Sequence, residues 1–227
     1  AGGRQLLVEP YKGDYTFERD VYNRSWWHST PTPGAAVLPL RVDPEVLHWQ
    51  RGDDLEYAVG EITVPLDEDQ PPARFRRHIF FVERSYWIVW DEFSGLPEGQ
   101  QLWENFHFPT RDLVRSADGR SVMTSYPEGT NLLMVVGSPG WAAHSEDTRM
   151  WPVSSRDSVP TETLHYEADA ATAMRGFAAL FVPVTGSEDT RDVSFEAVER
   201  LADGCVRLTV SVDGSRREVL TRSFVEP

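Results

Sequence analysis

Tyr86 to Phe93 reads Y-W-I-V-W-D-E-F, apolar almost without a break. The run before it, Arg74 to Val82, reads R-F-R-R-H-I-F-F-V, rich in β-branched and aromatic residues. Only E-R-S (Glu83 to Ser85) separates them. Two strand-forming runs joined by a short polar turn predict an antiparallel hairpin. The near-continuous apolarity of the second run places that hairpin in the core of a sheet. A chain with this segment at its centre has to build further strands around it.

The remaining sequence has the same character. Leu55 to Val64 alternates with the period of a half-buried strand, as does Leu102 to Phe108. Arg4 to Pro10, Tyr15 to Phe17, Val46 to Gln50 and Asn131 to Val136 are further predicted strands, and Ala173 to Val184 is one long strand or a strand pair. Pro39 marks Ala36 to Val42 as an edge strand or a bulge. Val193 to Val198, Cys205 to Val212 and Arg217 to Phe224 close the chain, with Asp203-Gly204 and Asp213-Gly214 as hairpin turns. Gly140 to Thr161 is polar and irregular and reads as a long surface loop. Short strands and turns at this spacing predict an all-β fold, a large antiparallel β-sandwich (a super-sandwich) with few or no helices. At 227 residues, a single domain spanning 1–227 is the expectation.

The formal net charge of −14 argues against nucleic acid as a partner, since phosphate binding needs a basic face. It leaves an anionic sugar open, because a local arginine cluster acts within a screening length of about 8–10 Å. Cys205 is the single cysteine, so there is no disulfide framework. No apolar run approaches the length of a membrane span, and no membrane partner is expected. The chain opens A-G-G-R-Q-L-L-V and reads as starting inside a larger protein.

Candidate chemistry concentrates between Gly13 and Ala36. Tyr15, Phe17, Tyr22, Trp26 and Trp27 surround one histidine, His28, with Arg19, Arg24, Asp14 and Asp20 interleaved. Aromatic faces with convergent charged groups suit a polar ring such as a sugar, and His28 exchanges a proton near neutral pH. An aromatic-rich stretch in an all-β protein also serves as core, and the residues alone leave both open. G-x-S-x-G, Walker, G-x-G-x-x-G and H-E-x-x-H motifs are missing, and the six histidines are dispersed. Glu92 and Glu104 form a glycosidase pair only if folding happens to bring them together.

The order of segments resembles the C-terminal β-sandwich of the heparinase II/III-like polysaccharide lyases, alginate and oligo-alginate lyase relatives included. Gly3 to Phe17 is similar to that family's entry segment and Arg24 to Thr30 (R-S-W-W-H-S-T) to its R-x-x-x-H-N-T motif. Arg74 to Gly95 is similar to its R-R…Y-W-x-V-x-D hairpin, and Phe106 to Pro109 to the strand after it. The resemblance implies an N-terminal α/α toroid of the same protein, packed on the sandwich, and an acidic polysaccharide or oligosaccharide in the cleft between them. It implies β-elimination at a uronate. One histidine, matching His28, would act as base or as neutraliser of the carboxylate, and Arg24, Trp26 and Trp27 would line the cleft. Ser29 stands where the family usually has Asn. Some members hold a zinc with two His and an Asp; Thr30 and Phe75 stand at the two matching His positions, with His78 displaced along the strand. No zinc and no other cofactor is therefore expected. The compartment stays open, with periplasmic or secreted placement favoured. The competing expectation is a free-standing carbohydrate-binding or interaction sandwich without catalysis.

Overall fold

The structure, a computed structural model, describes residues 29–34, 45–66, 69–150, 159–186 and 191–223. In chain order the strands are β1 (Pro31–Thr32), β2 (Glu45–Gln50), β3 (Leu55–Val64), β4 (Ala73–Val82), β5 (Tyr86–Ser94), β6 (Gln101–Phe108), β7 (Leu113–Arg115) and β8 (Ser121–Thr124). They continue as β9 (Thr130–Val136), β10 (Ala142–Met150), β11 (Val159–Asp169), β12 (Phe177–Thr185), β13 (Val193–Arg200), β14 (Cys205–Val212) and β15 (Ser215–Arg222). A one-turn helix, α1 (Ala170–Ala173), precedes β12.

The β4–β5 hairpin is central, as its sequence predicts. Its eight-stranded sheet runs β2-β3-β4-β5-β12-β9-β8-β7 and is packed on both faces. Side chains of a strand alternate between the two faces of its sheet. Phe75, Val89, Phe93, Phe177 and Phe181 point to one side, where Leu102, Phe106 and Phe108 of β6 and Leu164 and Tyr166 of β11 meet them. Phe80, Ile88, Trp90, Leu180 and Val182 point to the other, against Val206, Leu208, Val210 and Val219 of β14 and β15. The outer layers are a four-stranded sheet, β1-β6-β11-β10, and a three-stranded sheet, β13-β14-β15. The all-β sandwich therefore has three layers. Burial on two faces explains why β5 and β12 lack polar alternation.

Two sequence expectations change. The polar stretch after Gly140 is largely strand: β10 pairs with β11 from Ala142↔Glu167 to Met150↔Val159. Ala142 to Asp147 are exposed on this edge strand, so no apolar periodicity marks it. The segment from Ala173 is neither one long strand nor a pair. Asp169 caps α1 by accepting from the Thr172 amide at 2.8 Å, and β12 starts only after Gly176. Gly176 has φ +91°, and a Cβ there would fall 2.0 Å from the fully buried Trp90 ring. Only glycine fits, because both the conformation and the space exclude a side chain.

The remaining predicted strands match where they are described: β2, β3, β6, β9 and β13 to β15 lie where the alternation placed them. Asp213 (φ 52°) and Gly214 (φ 74°) form the two-residue turn between β14 and β15. The predicted strands at 4–10, 15–17 and 36–42 lie outside the described residues.

Candidate functional site

Charged side chains interrupt the apolar hairpin, and folding brings them to one place. Arg77 of β4 sits directly opposite Asp91 of β5. Its Nε donates to Asp91 Oδ1 and its Nη2 to Oδ2, both at 2.8 Å. The same Nη2 reaches Glu104 Oε2, on β6, at 3.1 Å. Asp91 and Glu104 are completely buried. The Arg77 side chain is 23% exposed; a guanidinium so far withdrawn from water is costly unless it is paired and hydrogen-bonded, and the bidentate fork to Asp91 meets that condition.

Two carboxyl groups here share one cation. Burial raises the Glu104 pKa well above the ordinary carboxyl range, and Asp91 raises it further against the opposing pull of Arg77. The protonated form of Glu104 is thereby favoured beyond what an exposed carboxyl group would show. On Arg77, burial pulls the guanidinium pKa down, but Asp91 outweighs it and the net direction is up.

The remaining guanidinium nitrogen points at the segment that follows His28. Arg77 Nη1 donates to the Ser29 carbonyl at 2.6 Å. Asn105 of β6, also fully buried, donates from Nδ2 to the Thr30 carbonyl at 2.7 Å and to Thr32 Oγ1 at 3.2 Å. The His107 amide donates to Ser29 Oγ at 3.4 Å. β1 then pairs with β6, Pro31 opposite Glu104. Beside this segment opens a groove of about 240 Å³ whose walls include Thr30, Pro31, Phe75, Arg77 and Ile79.

A histidine lies next to Asn105. His165 Nδ1 of β11 is 2.6 Å from Asn105 Oδ1, and its Nε2 is 3.3 Å from Glu146 Oε2 of β10. The ring leans on Trp103, with centroids 5.1 Å apart. Burial lowers the His165 pKa; Glu146 pulls the other way but does not reverse it.

Arg24, Trp26, Trp27 and His28 lie outside the described residues, so the sequence-derived site is met here through Ser29 and Thr30, its next two residues. Glu92 and Glu104 do not pair: Glu104 faces Arg77, and Glu92 faces the opposite side of the central sheet. There Glu92 Oε2 lies 3.2 Å from His78 Nε2, and its Oε1 accepts from Ser223. His78 Nδ1 meets the Tyr57 and Thr221 hydroxyls at 2.8 and 3.0 Å. Phe75 is packed in the core against Phe93. Among the described residues no three His, Cys, Asp or Glu side chains are grouped to hold a metal.

Arg77, Asp91, Asn105 and His165 are not among the sequence-derived candidates, and Glu104 is among them only as a partner of Glu92. For Arg77 and Asp91 a signal existed: charges inside the two most apolar strands, brought opposite each other by the hairpin register. Glu104, Asn105 and His165 come from other strands, and only the packing of the two sheets unites them with the hairpin.

Comparison with known proteins bears on the fold. A heparan sulfate lyase from Pedobacter heparinus superposes with a TM-score of 0.79 at 18% identity, over 96% of this chain and 35% of that one. The chain shares its fold with heparan sulfate lyases. A heparinase III superposes with a TM-score of 0.78 at 18% identity, over 97% of this chain and 34% of that one. In sequence, a heparin-sulfate lyase of Bacteroides stercoris is 21% identical over 220 residues, 92% of this chain. The chain spans about a third of these relatives: 30% of the Bacteroides lyase and 34–35% of the two solved structures. That span is consistent with the C-terminal sandwich of the heparinase II/III-like lyases. No family model matches the chain.

Proposed function

We propose that this chain is the β-sandwich part of a polysaccharide lyase that cleaves uronate-containing chains by β-elimination, and that it supplies His28 to the cleft. The observation that carries the reading is the three-layer fold shared with heparan sulfate lyases along 96% of the chain. The buried cluster under Ser29 and Thr30 supports the site assignment, because it gives the residue after His28 a rigid footing.

In the elimination, the C5–H bond of the uronate breaks and its electron pair forms the C4=C5 double bond. The C4–O bond to the leaving sugar breaks, and an acid protonates that oxygen. Stabilising the enolate-like carboxylate is the main demand on the site. A neutral His28 would take the C5 proton; a protonated His28 would neutralise the carboxylate. Arg24, Trp26 and Trp27 would hold the sugar. The other groups would come from an α/α toroid domain of the same protein. Val46 and Trp49 of edge strand β2 are 72% and 65% exposed, and with Ile79 they form an apolar face on the central sheet. An exposed apolar face of this kind supports a further domain packed against it.

The test uses the full-length natural protein with heparan sulfate, heparin and alginate, following the ultraviolet absorbance of the unsaturated uronate product. The reading expects product from at least one polymer and its loss in His28→Ala. A rate that rises with pH through the imidazole range identifies His28 as base, and a falling rate identifies it as the cationic neutraliser. An active enzyme with an equally active variant would remove His28 from the site. No product from any polymer would favour the binding-module reading.

A further inference from the structure

The orientation of the Asn105 amide is fixed by its neighbours. The Thr30 carbonyl only accepts. The Thr32 hydroxyl donates its proton to the Gly34 carbonyl at 3.1 Å, so toward Asn105 it accepts. Both contacts therefore require Nδ2, which leaves Oδ1 as the acceptor facing His165 Nδ1 at 2.6 Å. His165 in turn carries its proton on Nδ1. One buried amide thus ties the backbone after His28 to a second histidine on the neighbouring strand. Arg77 ties the preceding carbonyl, that of Ser29, at 2.6 Å.

We propose that Asn105 and Arg77 are positioning residues that clamp the carbonyls of Ser29 and Thr30, one and two residues after His28, and so set where its imidazole stands against the substrate. The role rests on the lyase reading above. The two tethers come from different strands, β6 and β4, and each reaches its carbonyl from a fixed place. Asn105 is held at its far end by His165, and Arg77 by both oxygens of Asp91. Displacement of a reacting group by about 1 Å costs on the order of a hundredfold in rate.

The experiment compares the full-length natural protein with Asn105→Asp and Arg77→Lys. Asn105→Asp keeps the shape but puts an oxygen against the Thr30 carbonyl. Arg77→Lys keeps a cation beside Asp91 and loses the reach to Ser29. For each protein, kcat and KM are measured on the active polymer, together with hydrogen exchange of the peptide covering 29–34. The clamp predicts a kcat lower by about a hundredfold with KM little changed, and faster exchange at 29–34 than elsewhere in β6 and β11. Full kcat in a variant whose segment exchanges faster would overturn it, as would unchanged exchange in both variants. A wild type without elimination activity would defeat the lyase reading instead. The exchange comparison would then decide only whether Arg77 and Asn105 tether 29–34: faster exchange upholds the tether, and unchanged exchange rejects it and the clamp with it.

Discussion

Each nitrogen of the Arg77 guanidinium has a named acceptor: Asp91, Glu104 or the Ser29 carbonyl. The two carboxyl groups beside it have opposite roles, and substitution separates them. Asp91→Asn removes the fully buried anion that both fork nitrogens of Arg77 grip and is expected to cost about 3–5 kcal/mol of stability, read by denaturant unfolding. Glu104→Gln keeps the neutral form that burial favours and is expected to fold at least as well as the wild type near neutral pH. Because the folded pKa of Glu104 is raised, its protonation stabilises the fold at low pH, and that contribution is lost as pH rises toward the folded value. Glu104→Gln should therefore gain on the wild type as pH rises above the unfolded carboxyl range, about 4.3. A variant that loses ground instead would mean Glu104 works as an anion. Glu92 has the opposite sign. Burial works to raise it, but hydrogen bonds from His78 and Ser223 and the charges of His78 and Arg200 prevail, and its pKa is lowered. Its contribution is present above the unfolded carboxyl range and disappears as pH falls through the folded value. Acid unfolding should therefore be shallower in Glu92→Gln than in the wild type below about pH 4.

At the scale of elements, the central hairpin tests how local sequence meets packing. Its turn places Glu83 and Arg84 at φ 49° and 54°, in the left-handed region where neither side chain is at ease. Arg84→Gly is expected to stabilise the protein by about 0.5–1 kcal/mol, seen as a higher unfolding midpoint. Gly176→Ala is expected to cost about 3 kcal/mol or more, since it combines a left-handed φ of +91° with a collision against Trp90. The hairpin, β3, β6 and the closing β13 to β15 meander were legible because apolar period and turn chemistry agreed there. β10 was not legible: its A-A-H-S-E-D-T run carries no burial signal, and β11 recruits it through backbone pairing. The clamp was half legible. Charges inside β4 and β5 flag a buried pair, but Asn105 looks like any polar residue of an alternating strand until β1 is laid beside β6.

For the whole molecule, three layers give the central sheet two cores, and the site sits at the edge of one of them. The polar contacts of His78, Glu92, Tyr57, Thr221 and Ser223 link the central sheet to the three-stranded layer, while Leu208 and Val210 fill the apolar space between them. Leu208→Ala is expected to cost about 2–5 kcal/mol through the cavity it leaves. If that layer acts only as a buttress, kcat of the full-length protein will be unchanged at temperatures where the variant remains folded. The four-stranded layer is different. Its polar residues on β6 and β11 hold the chain that follows His28, so the functional reading and the architecture converge on the junction of β1, β4 and β6.

The most direct measurement is a crystal structure of the full-length natural protein with a bound uronate oligosaccharide. The account predicts a His28 nitrogen within hydrogen-bond reach, about 2.6–3.2 Å, of the uronate carboxylate or of the hydroxyl oxygens beside C5, with the Ser29 and Thr30 carbonyls still bonded to Arg77 and Asn105. A sugar bound away from His28, or a 29–32 segment lifted off β6 in the complex, would contradict it.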